Sequence, residues 1–487
     1  MAHPRLESCL ALYRADRLVE AEAGYRACLA DGIDAHLPLS ALLLQQGRHD
    51  EVVALLEPQF AMQGDNATLA INLSIALRKS GRNDEALRIA RQATAQAPDH
   101  PAAWNAQGLA ALESGDAEAA LHAFEQGLRL APGAIALDLH RSKALRHLAR
   151  HAEAIQVLQR LLASAPDMLE AWRDLATAQT ALGQYQVALK SAEHAMRLAP
   201  NDAEVSLQHA VALLHAGQTR AAIKRLEQLQ ADPQAWVWLA QARLRDNDIE
   251  GARAAYGHAA ARDPDDPFIR HFVAALGGEL PEQVEADYIR KLFDDFAARF
   301  ESTLVDALAY SAPKVLPRFL AAHGADDASR ILDLGCGTGL MGAALAAPGR
   351  TIDGVDLSER MLAHARAKGV YRELHAAELL QFLKGSRQRW DLVIAADVFV
   401  YVAHLAPVFA AIHACLEPGG WFAFSIECSD GPDTQLQPQT GRYRHSPEAL
   451  VRELAAAGFD QVQRETLALR MEMGKPVAGE LLLARRI

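Results

Sequence analysis

Hydrophobic and small residues recur through the first half of the chain with a period of about 34 residues. Within each period they lie at helical spacing along two successive segments, so each unit predicts a pair of amphipathic helices. Prolines stop the second helix of a unit and begin the next unit; they are Pro98, Pro132, Pro166, Pro200 and Pro264. The pattern predicts about eight helix pairs over residues 1–266, starting near residues 2, 33, 67, 101, 135, 169, 203 and 233.

The repeat resembles the tetratricopeptide repeat (TPR) in its period and in the small residues expected where paired helices cross. A clear unit carries Trp104, Gly108, Ala120, Phe124 and Pro132. The resemblance implies an all-α solenoid over residues 1–266. An apolar helical stretch that ends at paired glycines follows it, so we expect a capping helix and a linker over residues 267–285.

The TPR resemblance also implies a groove, lined by the first helix of each pair, that holds a protein or peptide. The inward positions of this groove carry a basic set, which consists of Arg78, Lys79, Lys143, Arg146, His147 and Arg173. In an acidic protein, such a set favours an acidic peptide or protein segment as the partner. Ordinary solvated charges on a solenoid surface are the alternative interpretation.

A second pattern occupies residues 331–345, where a hydrophobic strand leads into a glycine-rich loop and a helix. The loop carries Asp333 and three alternating glycines, Gly335, Gly337 and Gly339. Glycine permits left-handed backbone and close approach of a ligand, and the following helix start offers unpaired N–H groups. The spacing is neither the usual dinucleotide pattern nor a phosphate-binding P-loop.

This D-x-G-x-G-x-G form resembles motif I of the class I S-adenosylmethionine-dependent methyltransferases. The resemblance implies S-adenosylmethionine as cofactor, with the Asp333 carboxylate near its amino group and Cys336 in the contacting loop. Downstream, strands alternate with helices, which requires a parallel sheet, and the last two strands read as a hairpin. We therefore expect residues 286–487 to form an α/β Rossmann-like methyltransferase domain with a seven-stranded sheet whose last strand is antiparallel.

Two acids are expected to bind the nucleoside part of the cofactor. Asp356 ends the second predicted strand about 20 residues beyond the glycine loop, where an acid can accept both ribose hydroxyls; an N-cap for the next helix is the alternative. Glu378 follows the third strand, where the resemblance implies a contact with the adenine amine, and a first-turn helix acid is the alternative. The resemblance adds Leu357, Met361, Ala396 and Asp397 as further cofactor contacts.

In related methyltransferases, a helix before the core domain covers the cofactor, and Tyr288 and Phe296 are the residues expected to do so here. A helix stripe that faces the core is the alternative. Acceptor-site groups are expected at the carboxyl ends of the parallel strands; the candidates are Tyr401, His404, Glu427 and His445. A general base is needed only for an acceptor that arrives protonated, and His404 or Glu427 would serve.

Composition narrows the possible partners. Lys and Arg number 49 against 61 Asp and Glu in 487 residues, and the resulting formal net charge of −12 disfavours nucleic acid. Five scattered cysteines form no C-x-x-C pair, so we expect reduced thiols, and no ligand-spaced cluster predicts a metal site. Neither a signal core nor an apolar stretch of about 18 residues is present, which favours a cytoplasmic location and no membrane partner.

The combined features predict a TPR-containing methyltransferase that recruits a protein through its repeats and methylates that protein or a group it carries. In a second interpretation, the acceptor is a small molecule and the repeats serve assembly. A third is a scaffold that binds S-adenosylmethionine without turnover. A dehydrogenase that binds NAD is a fourth, because the acid after the second strand is shared with that class.

Overall fold

The computed structural model describes residues 3–62, 65–277, 286–297, 300–301, 310–472 and 475–487. Contacts divide the chain into two compact units, Met1–Ala216 and Gly217–Ile487. This division falls inside the repeat region, whereas the sequence predicts a boundary near residue 266. The second unit therefore combines the last repeats with the whole α/β region.

The helices of the repeat region follow the predicted pairs. In the first unit they are α1 (Pro4–Arg14), α2 (Leu18–Ala30), α3 (His36–Gln45), α4 (His49–Met62), α5 (Ala67–Lys79), α6 (Asn83–Gln96), α7 (Pro101–Glu113), α8 (Ala117–Leu130), α9 (Ile135–His147), α10 (His151–Ser164), α11 (Leu169–Ala181), α12 (Tyr185–Leu198) and α13 (Ala203–His215). The second unit continues with α14 (Thr219–Leu226), α15 (Pro233–Arg245), α16 (Ile249–Ala260) and α17 (Pro267–Gly277). The predicted helical solenoid is confirmed, and α17 occupies the place of the expected capping helix.

The turn inside each helix pair uses left-handed backbone. The residues with positive φ at these turns are Asp16, Gly47, Gly81, Gly115, Ala149, Gly183, Gly217 and Asn247. The turn after α9 shows the reason, because the Arg150 N–H reaches back to the Leu145 carbonyl oxygen at 2.8 Å and satisfies a carbonyl that the helix end leaves open. Glycine fits such a turn without steric cost, whereas Ala149 holds it at φ 56°.

Replacing Ala149 with Gly is expected to stabilise the first unit by about 0.5–1 kcal/mol. Left-handed backbone costs an L-residue about 1–2 kcal/mol, and the larger unfolded-state entropy of glycine offsets only about 0.5–1 kcal/mol of this. Thermal unfolding followed by circular dichroism measures the change. Ala165→Gly is the control, because Ala165 has φ −135° and should gain nothing. A midpoint for Ala149→Gly at or below that of the unaltered protein would contradict the prediction.

The α/β region contains nine strands among its described residues. They are β1 (Arg330–Leu334), β2 (Thr351–Asp356), β3 (Glu373–Ala376), β4 (Trp390–Ala395), β5 (Leu416–Glu427), β6 (Gln435–Gln437), β7 (Arg442–Arg444), β8 (Phe459–Glu472) and β9 (Lys475–Arg486). Seven of them form one sheet in the order β3-β2-β1-β4-β5-β9-β8, and β6 pairs with β7 in a separate ribbon. The strands from β1 to β5 run parallel, and β9 is antiparallel to both β5 and β8. The predicted seven-stranded sheet with an antiparallel last strand is confirmed.

Helices cover both faces of this sheet. They are α18 (Ala286–Phe296), α19 (Ala312–Ala322), α20 (Leu340–Leu345), α21 (Glu359–Lys368), α22 (Leu379–Gly385), α23 (Ala406–Cys415) and α24 (Pro447–Ala456). One core contains Phe399, Phe409 and Phe424, and the other packs α19 through Leu316 and Phe319. The sequence analysis did not predict α19 or the β6–β7 ribbon. Burial on both faces explains why the central strands β1 and β4 are rich in apolar residues and almost fully buried.

Neither a membrane span nor a metal cluster is found in the part of the chain that the structure describes. None of its helices combines the length and hydrophobicity that crossing a bilayer requires. Its His, Cys, Asp and Glu residues likewise form no group of three placed to hold a metal ion.

Candidate active site

A cavity of about 1320 Å³ lies at the carboxyl ends of the parallel strands. Many of the predicted site residues line it, namely Asp333, Gly335, Cys336, Gly337, Asp356, Leu357, Met361, Glu378, Ala396, Asp397, Tyr401 and His404. Four others, Gly339, Tyr288, Glu427 and His445, are not among the lining residues. The side chain of Phe296 lies outside the described part of the chain.

The glycine loop owes its shape to backbone that only glycine adopts readily. Gly335, Gly337 and Gly339 have φ values of 64°, 54° and 86°. A Cβ atom on Gly335 would lie 2.5 Å from Cγ2 of Val398. Gly339 is the N-cap of α20, and a Cβ there would approach the Tyr371 ring to 2.9 Å. Gly339 therefore packs against Tyr371, away from the cavity, while Gly335 and Gly337 line the cavity.

Asp333 is buried at the end of β1 beside a tyrosine that the sequence analysis did not single out. The Tyr371 hydroxyl donates to Oδ2 of Asp333 at 2.6 Å and accepts from the Gly342 N–H at 3.2 Å. Burial raises the pKa of the Asp333 carboxyl to about 7, although the Tyr371 hydrogen bond opposes the rise. A cationic partner in the cavity would stabilise the ionised form of this buried carboxyl.

Asp356 bridges the glycine loop and the turn after β2. Its two carboxylate oxygens accept from the N–H of Gly337 at 2.8 Å and of Ser358 at 2.9 Å. Burial raises the pKa of Asp356, and these backbone hydrogen bonds act against the rise. The N-cap of α21 is Ser358, whose hydroxyl accepts from the Met361 N–H at 3.1 Å. Ser358 therefore has the N-cap role that was the alternative prediction for Asp356.

Glu378 lines the cavity and also caps a helix. Its carboxylate oxygens accept from the N–H groups of Leu380 at 2.9 Å and Gln381 at 2.7 Å at the start of α22. The helix-acid alternative is thus realised for this residue. A contact with a nucleobase amine would use an oxygen that already accepts one backbone hydrogen bond.

Asp397 follows β4 in left-handed backbone, with φ 60°. Its N–H donates to the Ser425 hydroxyl at 2.8 Å, and Nη1 of Arg470 donates to its Oδ1 at 2.7 Å. Arg470 is buried and also donates through Nη2 to Glu427 at the end of β5. One guanidinium from β8 therefore joins the carboxylates that follow two neighbouring strands, and no motif in the sequence marked it.

The four candidate acceptor-site groups fall into two classes. Tyr401 and His404 line the cavity, and the Tyr401 ring meets Phe293 edge-on at 5.4 Å. Glu427 is buried against Arg470, and Nε2 of His445 lies 2.9 Å from the Phe399 carbonyl oxygen. Burial lowers the pKa of His445 and so favours its neutral form. The structure therefore brings only Tyr401 and His404 to the cavity.

Helix α18 borders the cavity with a different face from the predicted one. Phe293 and Ile289 line the cavity, whereas Tyr288 is buried against α17, where its ring stacks on His271 with centroids 4.8 Å apart. His271 in turn forms a hydrogen bond through Nε2 to the carbonyl oxygen of Gly441 at 2.8 Å. The capping helix α17 therefore contacts both α18 and the ribbon that carries β6 and β7.

Most of the basic residues that were predicted to line the groove are paired with acids of the next repeat. The pairs are Arg78 with Glu113 at 3.2 Å, Lys143 with Glu170, Arg146 with Asp174, and Arg173 with Glu204. Lys79 and His147 are exposed. This inter-repeat ladder neutralises much of the positive charge that the sequence assigned to the groove.

Comparisons with known proteins agree with this architecture. Residues 305–464 match the family model of a methyltransferase domain. Residues 71–135, 111–179 and 233–276 match models of the tetratricopeptide repeat. The chain therefore joins tetratricopeptide repeats to a class I methyltransferase domain, a class that uses S-adenosylmethionine.

Similar proteins include ubiquinone biosynthesis O-methyltransferases from Thiobacillus denitrificans, 36% identical over 102 residues, and Bordetella pertussis, 33% identical over 109 residues. The matches cover 20% and 21% of this chain. The chain spans less than half of these relatives, 43% and 44% of their lengths. The crystal structure of magnesium protoporphyrin IX methyltransferase from Synechocystis PCC 6803 with bound S-adenosylmethionine aligns with a TM-score of 0.32 at 17% identity, covering 43% of this chain and 98% of that one.

Proposed function

We propose that this protein is an S-adenosylmethionine-dependent methyltransferase whose repeats recruit a protein, and that the acceptor is that protein or a group it carries. The observation that carries the proposal is the cavity, which places the glycine loop, Asp333 and Asp356 at adjacent strand ends. The repeats on the same chain support recruitment, since such solenoids present extended binding surfaces.

The residues of the cavity fit this cofactor chemically. Asp333 offers a buried carboxylate to an ammonium group, and Asp356 offers oxygens to paired hydroxyls. The cavity of about 1320 Å³ exceeds the ~300–1000 Å³ typical of a site for one small molecule, which leaves room for an acceptor. When bound, S-adenosylmethionine supplies an electrophilic methyl group on a sulfonium.

The chain's own residues contribute positioning, exclusion of water and a proton acceptor. Phe293 and Tyr401 give the cavity an apolar wall that limits solvent beside the reacting groups. His404 is the candidate base of this proposal, because it lines the cavity while Glu427 is held by Arg470. It would accept the proton of an acceptor hydroxyl or amine, and it is dispensable for an acceptor that is already deprotonated.

A small hydroxyl-bearing molecule is the second candidate acceptor. The similarity to ubiquinone biosynthesis O-methyltransferases favours it. In this case the repeats serve assembly and take no part in presenting the acceptor.

Transfer of tritium-labelled methyl from S-adenosylmethionine to extract from the source cells distinguishes the two candidates. Label in protein that falls when Lys79 and His147 are both replaced by Glu supports recruitment through the repeats, since both residues are exposed and belong to the set predicted to line the groove. Arg160→Glu is the matched control, an exposed charge on the second helix of a pair. Label that appears only in small molecules, and is indifferent to the groove variant, favours the second candidate.

Affinity for S-adenosylmethionine is expected to fall roughly tenfold between pH 7.5 and pH 6. The pKa of Asp333 is raised to about 7 by burial, so the carboxyl is largely ionised at the upper pH and largely protonated at the lower one. Only the ionised form attracts an ammonium group. Calorimetric titration across this range measures the effect, and Asp333→Asn should bind weakly with a flat profile. An unaltered protein with equal affinity at both values would refute the assignment of Asp333.

A further inference from the structure

Charged residues line the cavity at several places. Asp333 in β1 and Asp356 at the end of β2 lie at the glycine loop, whereas Arg442 and Arg470 line the cavity beyond β4; Arg290 and Lys384 line it as well. The glycine loop follows β1, so the part of the cavity next to Asp333 and Asp356 is the one proposed for the cofactor. The part next to Arg442 is then left for the acceptor.

The two cavity arginines converge on one carboxylate oxygen. Nη2 of Arg470 donates to Oε1 of Glu427, and Nη1 of Arg442 lies 3.8 Å from the same atom. Arg444 approaches the other oxygen, Oε2, at 3.8 Å. Among the described groups, three guanidiniums thus surround Glu427, and Asp397 is the other carboxylate bonded to Arg470.

Arg442 is the member of this cluster that can meet a ligand. Its side chain is 22% exposed, and it lines the cavity, whereas the Arg470 side chain is 1% exposed. A guanidinium presents planar, paired N–H donors that match the oxygens of a carboxylate or phosphate. Aromatic rings of Phe293, Phe300 and Tyr401 line the same cavity and suit an apolar body attached to that anion.

We propose, on the basis of the methyltransferase function proposed above, that the acceptor carries a carboxylate or phosphate which Arg442 binds at the β5 side of the cavity. Glu427, which Arg470 also bonds, lies 3.8 Å from Arg442 and attracts its guanidinium to this side of the cavity. The group to be methylated then lies between this anion and the cofactor side of the cavity.

The test uses the full-length protein saturated with S-adenosylhomocysteine in phosphate-free buffer. Calorimetry compares three aromatic probes: 3,4-dihydroxybenzoate, 4-hydroxyphenyl phosphate and the neutral 3,4-dihydroxybenzamide. At least one anionic probe should bind about tenfold more tightly than the amide, the effect of a charge-assisted hydrogen bond. The stronger of the two anionic probes identifies the anion as carboxylate or phosphate.

Matched variants assign the effect to Arg442. Arg442→Gln should remove the preference for the anion, and Arg442→Lys should keep part of it. Arg444→Gln should leave it intact, because Arg444 borders the same carboxylate without lining the cavity. Equal binding of all three probes, no binding of the anionic ones, or equal losses in Arg442→Gln and Arg444→Gln would overturn the proposal. Failure to bind S-adenosylhomocysteine at the outset would instead count against the proposed function.

Discussion

Asp356→Ala is expected to lower the affinity for S-adenosylmethionine at least about 100-fold while leaving the fold intact. In the proposed complex the carboxylate accepts from two ribose hydroxyls, and each hydrogen bond to a charged group contributes about 1.5–3 kcal/mol. The same carboxylate also accepts from the Gly337 N–H at 2.8 Å and so supports the glycine loop. Calorimetric titration measures the affinity, and circular dichroism checks that the variant is folded.

Asp391→Ala is the matched control for this loss. Asp391 is an acid of the same sheet at the opposite end of β4, where it accepts from the Ser329 hydroxyl at 2.8 Å and the Arg330 N–H at 2.9 Å. Its removal should affect stability and leave affinity within about twofold, because the expected energetic coupling to a distant ligand is small. Retention of wild-type affinity by folded Asp356→Ala would remove the basis for placing the ribose at β2.

Arg470→Met is expected to destabilise the second unit by about 3–5 kcal/mol. The guanidinium is 1% exposed and bonds Asp397 and Glu427, so its loss leaves the buried charge of Glu427 without its closest partner. Met approximates the volume of the aliphatic stem and isolates the loss of charge. Thermal unfolding of the full chain should show the transition of this unit at a lower temperature.

Two further variants determine whether charge causes the effect. Glu427→Gln in the Arg470→Met background should recover part of the stability, because it removes a buried negative charge that has lost its closest partner. Arg444→Met should cost no more than about 1 kcal/mol, since this arginine is 35% exposed and 3.8 Å from Glu427. An Arg470→Met protein as stable as the unaltered one would show that the buried pair contributes little.

The predictions of the repeat helices and of the glycine loop rest on local sequence patterns. Helix starts could be read from prolines and small residues that recur every repeat, and the glycine loop from residues 333–339, because both depend on backbone conformation over a few positions. Side-chain partners distant in the chain could not be read in this way. Tyr371 lies 38 residues from Asp333, and Arg470 lies 73 residues from Asp397. No sequence motif near Tyr371 or Arg470 indicates that its side chain bonds a carboxylate at the end of another strand.

Two other differences between the sequence predictions and the structure also arise from contacts between residues that are distant in the chain. Periodicity identified α18 as amphipathic, yet it could not tell which neighbour each side of the helix would meet, and Tyr288 packs on His271 while Phe293 lines the cavity. The sequence predicted which basic residues line the groove but not their acidic partners, which lie one repeat further along, as with Arg78 and Glu113. A single repeat unit therefore misrepresents the charge of the assembled surface.

The hydrogen bond from His271 to Gly441 has a consequence for how this protein can be divided and recombined. Gly441 immediately precedes Arg442, so the helix that was predicted to cap the repeats holds the backbone beside a cavity arginine. A chimera that fuses a foreign solenoid to residue 286 would discard this support, whereas one that retains residues 267–277 would keep it. We therefore expect the activity of the α/β region to depend on residues 267–277, which precede the boundary between the helical and α/β folds.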